Sequence, residues 1–284
     1  MEQPFYGRTG ALDGAYNALP VTKPRFATGQ PRRWFPSLLT VPQRVLHSVT
    51  SGDGVDASIL RFLRVALVFE ELRKRHPTPK YHGVLLREVL QWHSEFSLSQ
   101  KNAGKLDMSA SALHMFQPYL PVYNLRVLKD KEAVASYKAI SRRAATLLGK
   151  DRSVNDIPLD HPSCSGQHAA LEVRFVHAKA EEFQQRFEAR VAVMERGESN
   201  AQIPWDSRES ISELCSHGFA LLKELGDDDD DDSWLMELQV VDLGSTNGTR
   251  LNGELLRPME PQTVIEGDIL TFGCSSRSYV VVRT

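Results

Sequence analysis

The chain has 284 residues, of which 41% are hydrophobic and 25% are charged. This is the composition of an ordinary globular protein with ample chain for a core. The net charge is −2, and taking away six consecutive aspartates at 227–232 leaves +4 for the rest of the chain. That excess is too small for a strongly basic nucleic-acid binder. The sequence has no run of about 18 apolar residues, so no membrane span is expected.

The cysteines and the N-terminal residues indicate the cellular compartment of the protein. The three cysteines, Cys164, Cys215 and Cys274, are widely separated in the sequence. This pattern favours a reducing compartment over a disulfide scaffold. The N-terminal residues Met-Glu-Gln-Pro-Phe-Tyr lack the charged start and apolar core of a signal peptide. We therefore expect a soluble intracellular protein.

Residues 1–50 contain six prolines and little hydrophobic periodicity. This predicts an extended arm, because proline removes a backbone donor and disfavours helix in the residue before it. The same stretch holds six aromatic residues and an excess of basic over acidic side chains. It is either a disordered tail or an arm that orders across a partner, with aromatic side chains filling pockets. We favour the second interpretation.

Residues 51–120 are predicted to form a small helical region. The stretch 56–76 carries a leucine-rich stripe and is followed by a proline, which predicts a helix. The stretches 84–96 and 107–116 show shorter helical patterns. These helices form a small bundle, pack against the following domain or dock on a partner, and the sequence leaves the three possibilities open.

From residue 121 the hydrophobic period changes to two, which predicts a β-sandwich over 121–284. The rhythm breaks at about 177–233, and we interpret this stretch as a partly disordered insertion between two strands. Within it, Glu181 to Arg196 fits a strand or a helix, and Ser210 to Leu225 predicts a helix. The acidic run 227–232 is expected to stay solvated, because its charges repel one another. An insertion in a surface connection costs little closure entropy.

The stretch from Asp242 to Gly253 reads Asp-Leu-Gly-Ser-Thr-Asn-Gly-Thr-Arg-Leu-Asn-Gly and lies between two alternating apolar runs. It predicts a strand, a polar turn, a very short strand and a second turn. Gly244, Gly248 and Gly253 would supply the positive φ values that such turns require. The Asn-Gly pairs are strong hairpin signals. The polar side chains of the first turn either satisfy their own backbone or offer donors to a ligand.

A second motif cluster lies upstream, with Gly149-Lys150 after one apolar run and Ser165 to His168 before another. With Ser245 to Gly253, these motifs resemble, in the same order, the Gly-Arg, Ser-x-x-His and Ser-Thr-Asn-Gly-Thr-x-x-Asn-Gly motifs of the forkhead-associated (FHA) domain. The resemblance covers roughly residues 121–176 and 233–284. It implies a mainly β fold, a two-sheet antiparallel sandwich with a long insertion.

Two further runs narrow the resemblance within the FHA family. Residues 156–165 (Asp-Ile-Pro-Leu-Asp-His-Pro-Ser-Cys-Ser) and 272–279 look like the branch of the Smad nuclear-interacting protein and the pre-mRNA leakage protein of the retention-and-splicing complex. That branch implies a nuclear location and splicing-factor partners, phosphorylated in some cases, bound through the FHA loops and the N-terminal arm. The basic cluster from Arg73 to Arg75 is explained by a helix C-terminus, where positive charge is favourable. RNA contact through these residues is a secondary alternative. No cofactor and no membrane contact are expected.

The FHA resemblance also implies ligand-binding roles. Ser165 would bond the phosphate of a phosphothreonine and Lys150 would hold its charge. Asn247 would bond the peptide main chain, and Thr246 would line the pocket. Lys150 stands where the family has arginine and lacks the planar fork that binds phosphate bidentately. Arg152 would compensate if the loop turned it inward.

Other residues of the motifs are expected to shape the loops. By resemblance His168 braces its loop internally, and Gly149, Gly244 and Gly248 serve the turns. Gly166 removes a polar contact that the family has after the serine. A pocket kept only as a scaffold is therefore an alternative to phosphate binding.

Three other sequence features suggest different functions. A zinc site from His161, Cys164 and His168, with Cys215 and His217 as further ligands, matches no common finger spacing. The sequence lacks a Walker loop, HExxH and Gly-x-Ser-x-Gly, so catalysis is not expected. The segment Leu171 to Phe175 resembles a phosphatase-docking motif but falls in a predicted buried strand. We predict a non-enzymatic nuclear adaptor in pre-mRNA splicing, whose FHA domain binds a phosphothreonine or acidic segment of a partner. The alternatives are a structural subunit with a degenerate FHA domain and a phosphatase- or kinase-regulating FHA protein.

Overall fold

The structure is a computed structural model that describes residues 37–52, 57–75, 119–197, 207–226 and 233–284, with Leu85 and Val89. The helices in these ranges are α1 (Gln43–Ser51), α2 (Ala57–Arg75), α3 (Ala180–Gly197) and α4 (Arg208–Glu224). Within the described ranges no helix is long and apolar enough to cross a membrane.

The strands form two sheets. Their bounds are β1 (Tyr123–Lys129), β2 (Glu132–Tyr137), β3 (Ala145–Gly149), β4 (Ile157–Pro158), β5 (Ala169–His177), β6 (Trp234–Asp242), β7 (Thr249–Leu251), β8 (Glu254–Leu255), β9 (Gln262–Thr263), β10 (Ile269–Phe272) and β11 (Arg277–Arg283). In the described part of the chain, one sheet has the order β2-β1-β11-β10-β7-β8 and the other β4-β3-β5-β6-β9. The mainly β, two-sheet sandwich predicted from the sequence is confirmed. One pairing, β3 with β4, is parallel.

Local signals in the sequence account for several of these strands. In β1, Leu125 and Val127 are buried and Arg126 is exposed, as the alternation predicts. Asn252 and Gly253 have φ values of 53° and 89° and connect β7 to β8. Two consecutive residues with positive φ make the tight turn that Asn-Gly predicts.

The insertion between β5 and β6 forms α3 and α4, so helix and not strand is correct for 181–196. These helices pack on each other and on α2. At Gly218 of α4, an added Cβ would lie 3.0 Å from Val68 of α2 and 3.3 Å from Phe187 of α3. Glycine permits this close helix approach. Much of the predicted insertion is thus ordered by contacts with the N-terminal region.

The prediction of an extended arm through residue 50 is wrong for its last part. Residues 39–41 run beside β5, where Val41 N–H donates to Val173 O at 2.7 Å and Phe175 N–H donates to Leu39 O at 2.8 Å. Helix α1 follows directly, with Pro42 as its N-cap and with Val45 among its buried side chains. Proline is tolerated there, since the first N–H groups of a helix have no partner within it. Residues 1–36 lie outside the described residues.

A buried polar layer fixes this N-terminal segment to the sheet. The Glu70 carboxylate of α2 accepts from Ser37 Oγ at 2.9 Å, and Glu172 of β5 accepts from Thr40 Oγ1 at 2.7 Å. Arg174 donates to Ser37 Oγ at 2.5 Å. Burial raises the pKa of Glu172, although the Arg174 charge lowers it.

This docking corrects the predicted division into an arm, a helical region at 51–120 and a separate sandwich. The helix predicted at 56–76 is confirmed as α2. It packs on the insertion, and the buried side chains of 37–52 and 57–75 belong to the same hydrophobic core as those of the sandwich. The helices predicted at 84–96 and 107–116 lie outside the described residues, apart from the buried Leu85 and Val89.

Candidate functional site

Connecting loops of the described sandwich meet at one end, and they carry the predicted ligand-binding residues. The β3–β4 loop contacts the β4–β5 loop, where Lys150 N–H donates to Ser165 O at 2.9 Å. The β6–β7 loop contacts the same serine, where Thr246 N–H donates to Ser165 Oγ at 3.1 Å. The fold therefore brings together Lys150, Ser165 and Thr246, which are up to 96 positions apart in sequence.

Asn247 lies exposed beside them and links two loops. Its Nδ2 donates to Ser163 O at 2.8 Å. Ser163 Oγ accepts from Cys274 N–H at 2.8 Å, which adds the β10–β11 turn to the cluster. The other side-chain N–H and the amide oxygen of Asn247 make no hydrogen bond with the described residues. Ser163 thus joins these loops, a role that the sequence alone does not predict.

His168 is fully buried beneath the loops. Its Nδ1 accepts from Ser165 N–H at 3.0 Å, so this nitrogen carries no proton. In that tautomer Nε2 donates to Gly248 O at 3.1 Å. The ring packs edge-on against Phe272 at 5.6 Å. His168 thus positions Ser165 and the β6–β7 loop from inside.

Asp242, at the end of β6, organises the β6–β7 loop. Its carboxylate is buried and accepts from Ser245 N–H at 2.8 Å, from Ser245 Oγ at 2.7 Å and from Thr249 Oγ1 at 2.6 Å. Burial raises the pKa of Asp242, but the hydrogen bonds from Thr249 and Ser245 outweigh it, and the net pKa is below the usual value. We assigned no role to Asp242 from the sequence. An aspartate three residues before a serine at the start of a turn is the signal that would have found it.

The positions of the predicted loop glycines require glycine for different reasons. Gly244 and Gly248 have φ values of 71° and 76°. A Cβ at Gly248 would also lie 2.4 Å from Leu255 Cδ1. Gly149 is needed for space alone, because a Cβ there would lie 2.2 Å from the carbonyl oxygen of Gly166. Gly149 therefore sets the close approach of the β3–β4 and β4–β5 loops.

This contact predicts that alanine substitution destabilises the protein more at Gly149 than at Gly166 on the facing loop. Gly149→Ala should cost about 2–3 kcal/mol in the free energy of unfolding, because backbone must move to make room. Gly166→Ala is the matched control, since its Cβ would meet only Asp151 Cβ at 3.9 Å. Urea unfolding of both variants checks this. Equal stabilities would contradict the steric role.

The side chains of Lys150 and Arg152, both in the β3–β4 loop, differ in their contacts. The Lys150 side chain is exposed and makes no hydrogen bond or ion pair with the described residues, while its charge acts on the nearby Cys164 thiol. Arg152 Nη2 is held by Asp160, at 2.7 Å from Oδ1 and 2.8 Å from Oδ2. Of these two side chains, Arg152 is thus paired with a carboxylate, and Lys150 is not paired with any carboxylate of the described residues.

The residues considered for zinc have other contacts. His161 Nδ1 lies 2.6 Å from Ser163 Oγ, and Cys164 Sγ contacts Phe272 O at 3.6 Å. Burial raises the pKa of the Cys164 thiol, which disfavours the thiolate that a metal requires. No group of three potential metal-ligating side chains occurs among the described residues.

The segment that resembles a phosphatase-docking motif is buried, as predicted. Phe175 is 1% exposed within β5. Both neighbours of β5 in the sheet are strands, and residues 39–41 cover the rest of its edge. The segment therefore cannot offer Phe175 to a partner without unfolding.

Comparison with known proteins agrees with this geometry. The family described as FHA domain matches residues 224–273, which include the β6–β7 loop and its buried Asp242. This stretch of the chain is similar to the FHA domain family. The matched residues begin at the last residue of α4, and their strands belong to the same two sheets as the earlier strands β1–β5.

Two relatives are similar to this chain over about half of its length. Smad nuclear-interacting protein 1 of Mus musculus is 30% identical over 145 residues, which is 51% of this chain and 25% of the relative. FHA domain-containing protein DDL of Arabidopsis thaliana is 26% identical over 161 residues, which is 57% of this chain and 36% of the relative. The match thus spans about a quarter to a third of these relatives. The solved structure of the yeast splicing factor Pml1, studied in its integration into the RES complex, has 17% identity and a TM-score of 0.34, with 58% and 80% of the two chains covered.

Proposed function

We propose that this chain is a non-enzymatic nuclear adaptor in pre-mRNA splicing whose FHA domain binds a phosphothreonine segment of a partner protein. The observation that carries the proposal is the convergence of Lys150, Ser165 and Thr246 at one end of the sandwich. Asn247 lies beside them with amide groups to spare.

This cluster has the groups that a phosphothreonine needs. A phosphate ester carries nearly two negative charges and three acceptor oxygens. Ser165 Oγ already accepts from Thr246 N–H, so its own proton can turn toward an anion. Lys150 supplies a positive charge that no described carboxylate neutralises. A serine donor and a lysine held by adjacent loops can form charge-assisted hydrogen bonds to one phosphate.

The nuclear and splicing part of the proposal is supported by sequence similarity. The runs at 156–165 and 272–279 resemble the splicing branch of FHA proteins. The similarity to Smad nuclear-interacting protein 1 covers 51% of this chain. Splicing factors are therefore the proposed partners, and the nucleus is the proposed location.

Binding of phosphothreonine can be tested directly. We expect the immobilised full chain to retain members of a phosphothreonine peptide pool and not their unphosphorylated counterparts. Ser165→Ala should weaken the best peptide about tenfold in isothermal titration, because a hydrogen bond to a charged group is lost. Ser276→Ala, an exposed serine on the nearby β10–β11 turn, is the matched control. Equal affinities for phosphorylated and unphosphorylated peptides would reject the proposal.

A second candidate function is a structural subunit whose FHA pocket binds no phosphate. The pairing of Arg152 with Asp160 favours it, because the arginine that could replace the family's own is already engaged. Gly166 adds no polar side chain to the pocket. The peptide titration separates the candidates. A structural subunit would bind phosphorylated and unphosphorylated peptides equally weakly, and the full chain would still purify with splicing proteins.

A further inference from the structure

The outer face of the six-stranded sheet, which points away from the sandwich core, carries aliphatic side chains at its centre. In β11, Tyr279 and Val281 are buried in the core, so the alternating residues Val280 and Val282 point outward. Val280 pairs with Ile269 of β10, which is 40% exposed and shares the outer face. An unbroken apolar run such as that in β11 is typical of a strand that is covered on both faces. The sequence of β11 thus indicates a covering element on the outer face.

An arginine lies on each side of this aliphatic strip. Arg126 of β1 is exposed and pairs with Val280 in the adjacent strand. Arg250 of β7 pairs with Thr271 of β10 on the other side of the strip. Cross-strand partners point to the same face of a sheet, so both arginines belong to the outer face. Arg250 Nη1 lies 3.5 Å from Gly273 O, and neither arginine forms an ion pair with the described residues.

The other outward residues of these strand pairs are neutral, and they are Asn124, Leu128, Ala133, Ser136, Leu255 and Ser278. The outer face of the described strands therefore has a net positive charge. A second copy of the same face would bring like charges together. None of these outward residues is aromatic, so the face lacks the stacking platform that single-stranded nucleic acid uses. Its chemistry favours an acidic protein segment with an apolar side.

The positions of the two arginines fit a helix that lies along the strands. Strands β11 and β10 separate β1 from β7, so the arginines are about 14 Å apart across the sheet. A helix about 10 Å in diameter that covered β11 and β10 would have one arginine on each flank. The arginines are also offset by about 7 Å along the strands, which is slightly more than one helical turn.

We propose that this outer face binds an amphipathic helix of a partner protein. The apolar stripe of the helix covers Ile269, Val280 and Val282, and acidic residues on its two flanks pair with Arg126 and Arg250. A sheet and a helix each bury an apolar face against another element, and the charges select an acidic helix over a basic one. This binding goes beyond the proposed function, because it needs no phosphate and is carried by the strands and not by the loop that holds Ser165.

Synthetic helical peptides test the chemistry of this surface. The probe is a fluorescent peptide of about three helical turns, with a leucine stripe flanked on both sides by glutamates. We expect the full chain to bind it about tenfold more tightly than a peptide with lysines in place of the glutamates, or one with alanines in place of the leucines, in fluorescence anisotropy. Binding of the probe should weaken as the salt concentration rises. Equal binding of the three peptides, or no binding of the probe, would overturn the proposal.

Substitutions on the full chain locate the binding face. Arg126→Glu should weaken binding of the glutamate–leucine peptide about tenfold, because it replaces an attraction with a repulsion. Arg257→Glu is the matched control, since the Arg257 side chain is 82% exposed between β8 and β9, outside the face. Ile269→Ser should also weaken binding, whereas Ile265→Ser should not, although Ile265 in the preceding turn is 59% exposed. A peptide that binds Arg126→Glu and Ile269→Ser as it binds the native chain would show that the face is not the site.

The proposal also requires that the face is open in the free protein. In methyl NMR of the full chain, a soluble paramagnetic chelate should broaden the signal of Ile269 strongly and that of the buried Leu270 weakly. Adding the glutamate–leucine peptide should protect Ile269. If Ile269 is already protected in the free chain, another part of the chain covers the face and the proposal is wrong. Ser165→Ala should leave peptide binding unchanged, so this result does not depend on the phosphothreonine function.

Discussion

Asp242→Ala should lower the free energy of unfolding by about 3–4 kcal/mol, because it leaves Ser245 and Thr249 without their shared charged acceptor. The carboxylate is buried and accepts hydrogen bonds from the backbone and hydroxyl of Ser245 and from Thr249 Oγ1. Thr249→Val keeps the shape and removes one of these bonds, so it should cost about 1–2 kcal/mol. Urea unfolding at neutral pH measures both changes.

The same carboxylate predicts a pH dependence. Burial raises the pKa of Asp242, but the bonds from Thr249 and Ser245 lower it more, so its pKa in the fold is below that of an unfolded aspartate. The unfolded chain therefore binds the proton more tightly. The stabilisation is complete above about pH 4, the usual range for unfolded aspartate, and is lost as the pH falls through the lower folded value.

Asp242→Asn isolates this contribution. The stability difference between the native chain and Asp242→Asn should be largest at neutral pH and should shrink as the pH falls below about 4. Asp130→Asn is the matched control, because Asp130 is exposed in the β1–β2 turn at a φ of 51°, which asparagine also tolerates. A difference that stays constant from pH 7 to pH 3 would show that the charge of Asp242 is not what holds the loop.

The parts of the fold that the sequence predicts correctly depend on short-range signals. The Asn252-Gly253 turn needs only its own two residues to adopt positive φ. The alternation in β1 follows from one buried face. The loop motifs occur in a fixed order, and the strands that carry them bring Lys150, Ser165 and Thr246 together once the two sheets form.

The parts that were missed depend on contacts between distant segments. Residues 39–41 lie along β5 more than 130 positions away, and their proline-rich neighbourhood gives no local sign of that pairing. The glycine at 218 has meaning only when Val68 and Phe187 are seen to press against it. Glu172 and Arg174 interrupt an apolar strand, and their partners are Thr40 and Ser37 of the N-terminal segment.

The choice of the cation in the proposed phosphate site also depends on a contact that the sequence does not reveal. The sequence leaves Lys150 and Arg152 as competing candidates because both lie in one loop. In the structure Asp160, which follows β4, pairs with Arg152 and also lies close to Arg277, and this pairing favours Lys150 as the proposed cation. Nothing in the spacing of the loop residues specifies that pairing.

Lys150→Ala should therefore weaken phosphothreonine peptide binding about ten- to a hundredfold, because one charge-assisted bond to a phosphate is worth about 1.5–3 kcal/mol. Lys150→Arg should bind as tightly as the native chain or more tightly, since it restores the planar fork. Neither change should alter the unfolding midpoint, because the Lys150 side chain is exposed and makes no hydrogen bond or ion pair with the described residues.

Arg152→Ala is the matched control for loss of a positive charge from the same loop. Its guanidinium already serves Asp160, so its removal should change phosphate affinity much less than Lys150→Ala does. Titration of one phosphothreonine peptide into the native chain and the three variants compares them directly. If Arg152→Ala abolishes binding and Lys150→Ala does not, the arginine leaves Asp160 for the phosphate and our assignment of the cation is wrong. If every variant and the native chain leave the peptide unbound, the pocket is a scaffold and the structural-subunit function replaces phosphothreonine recognition.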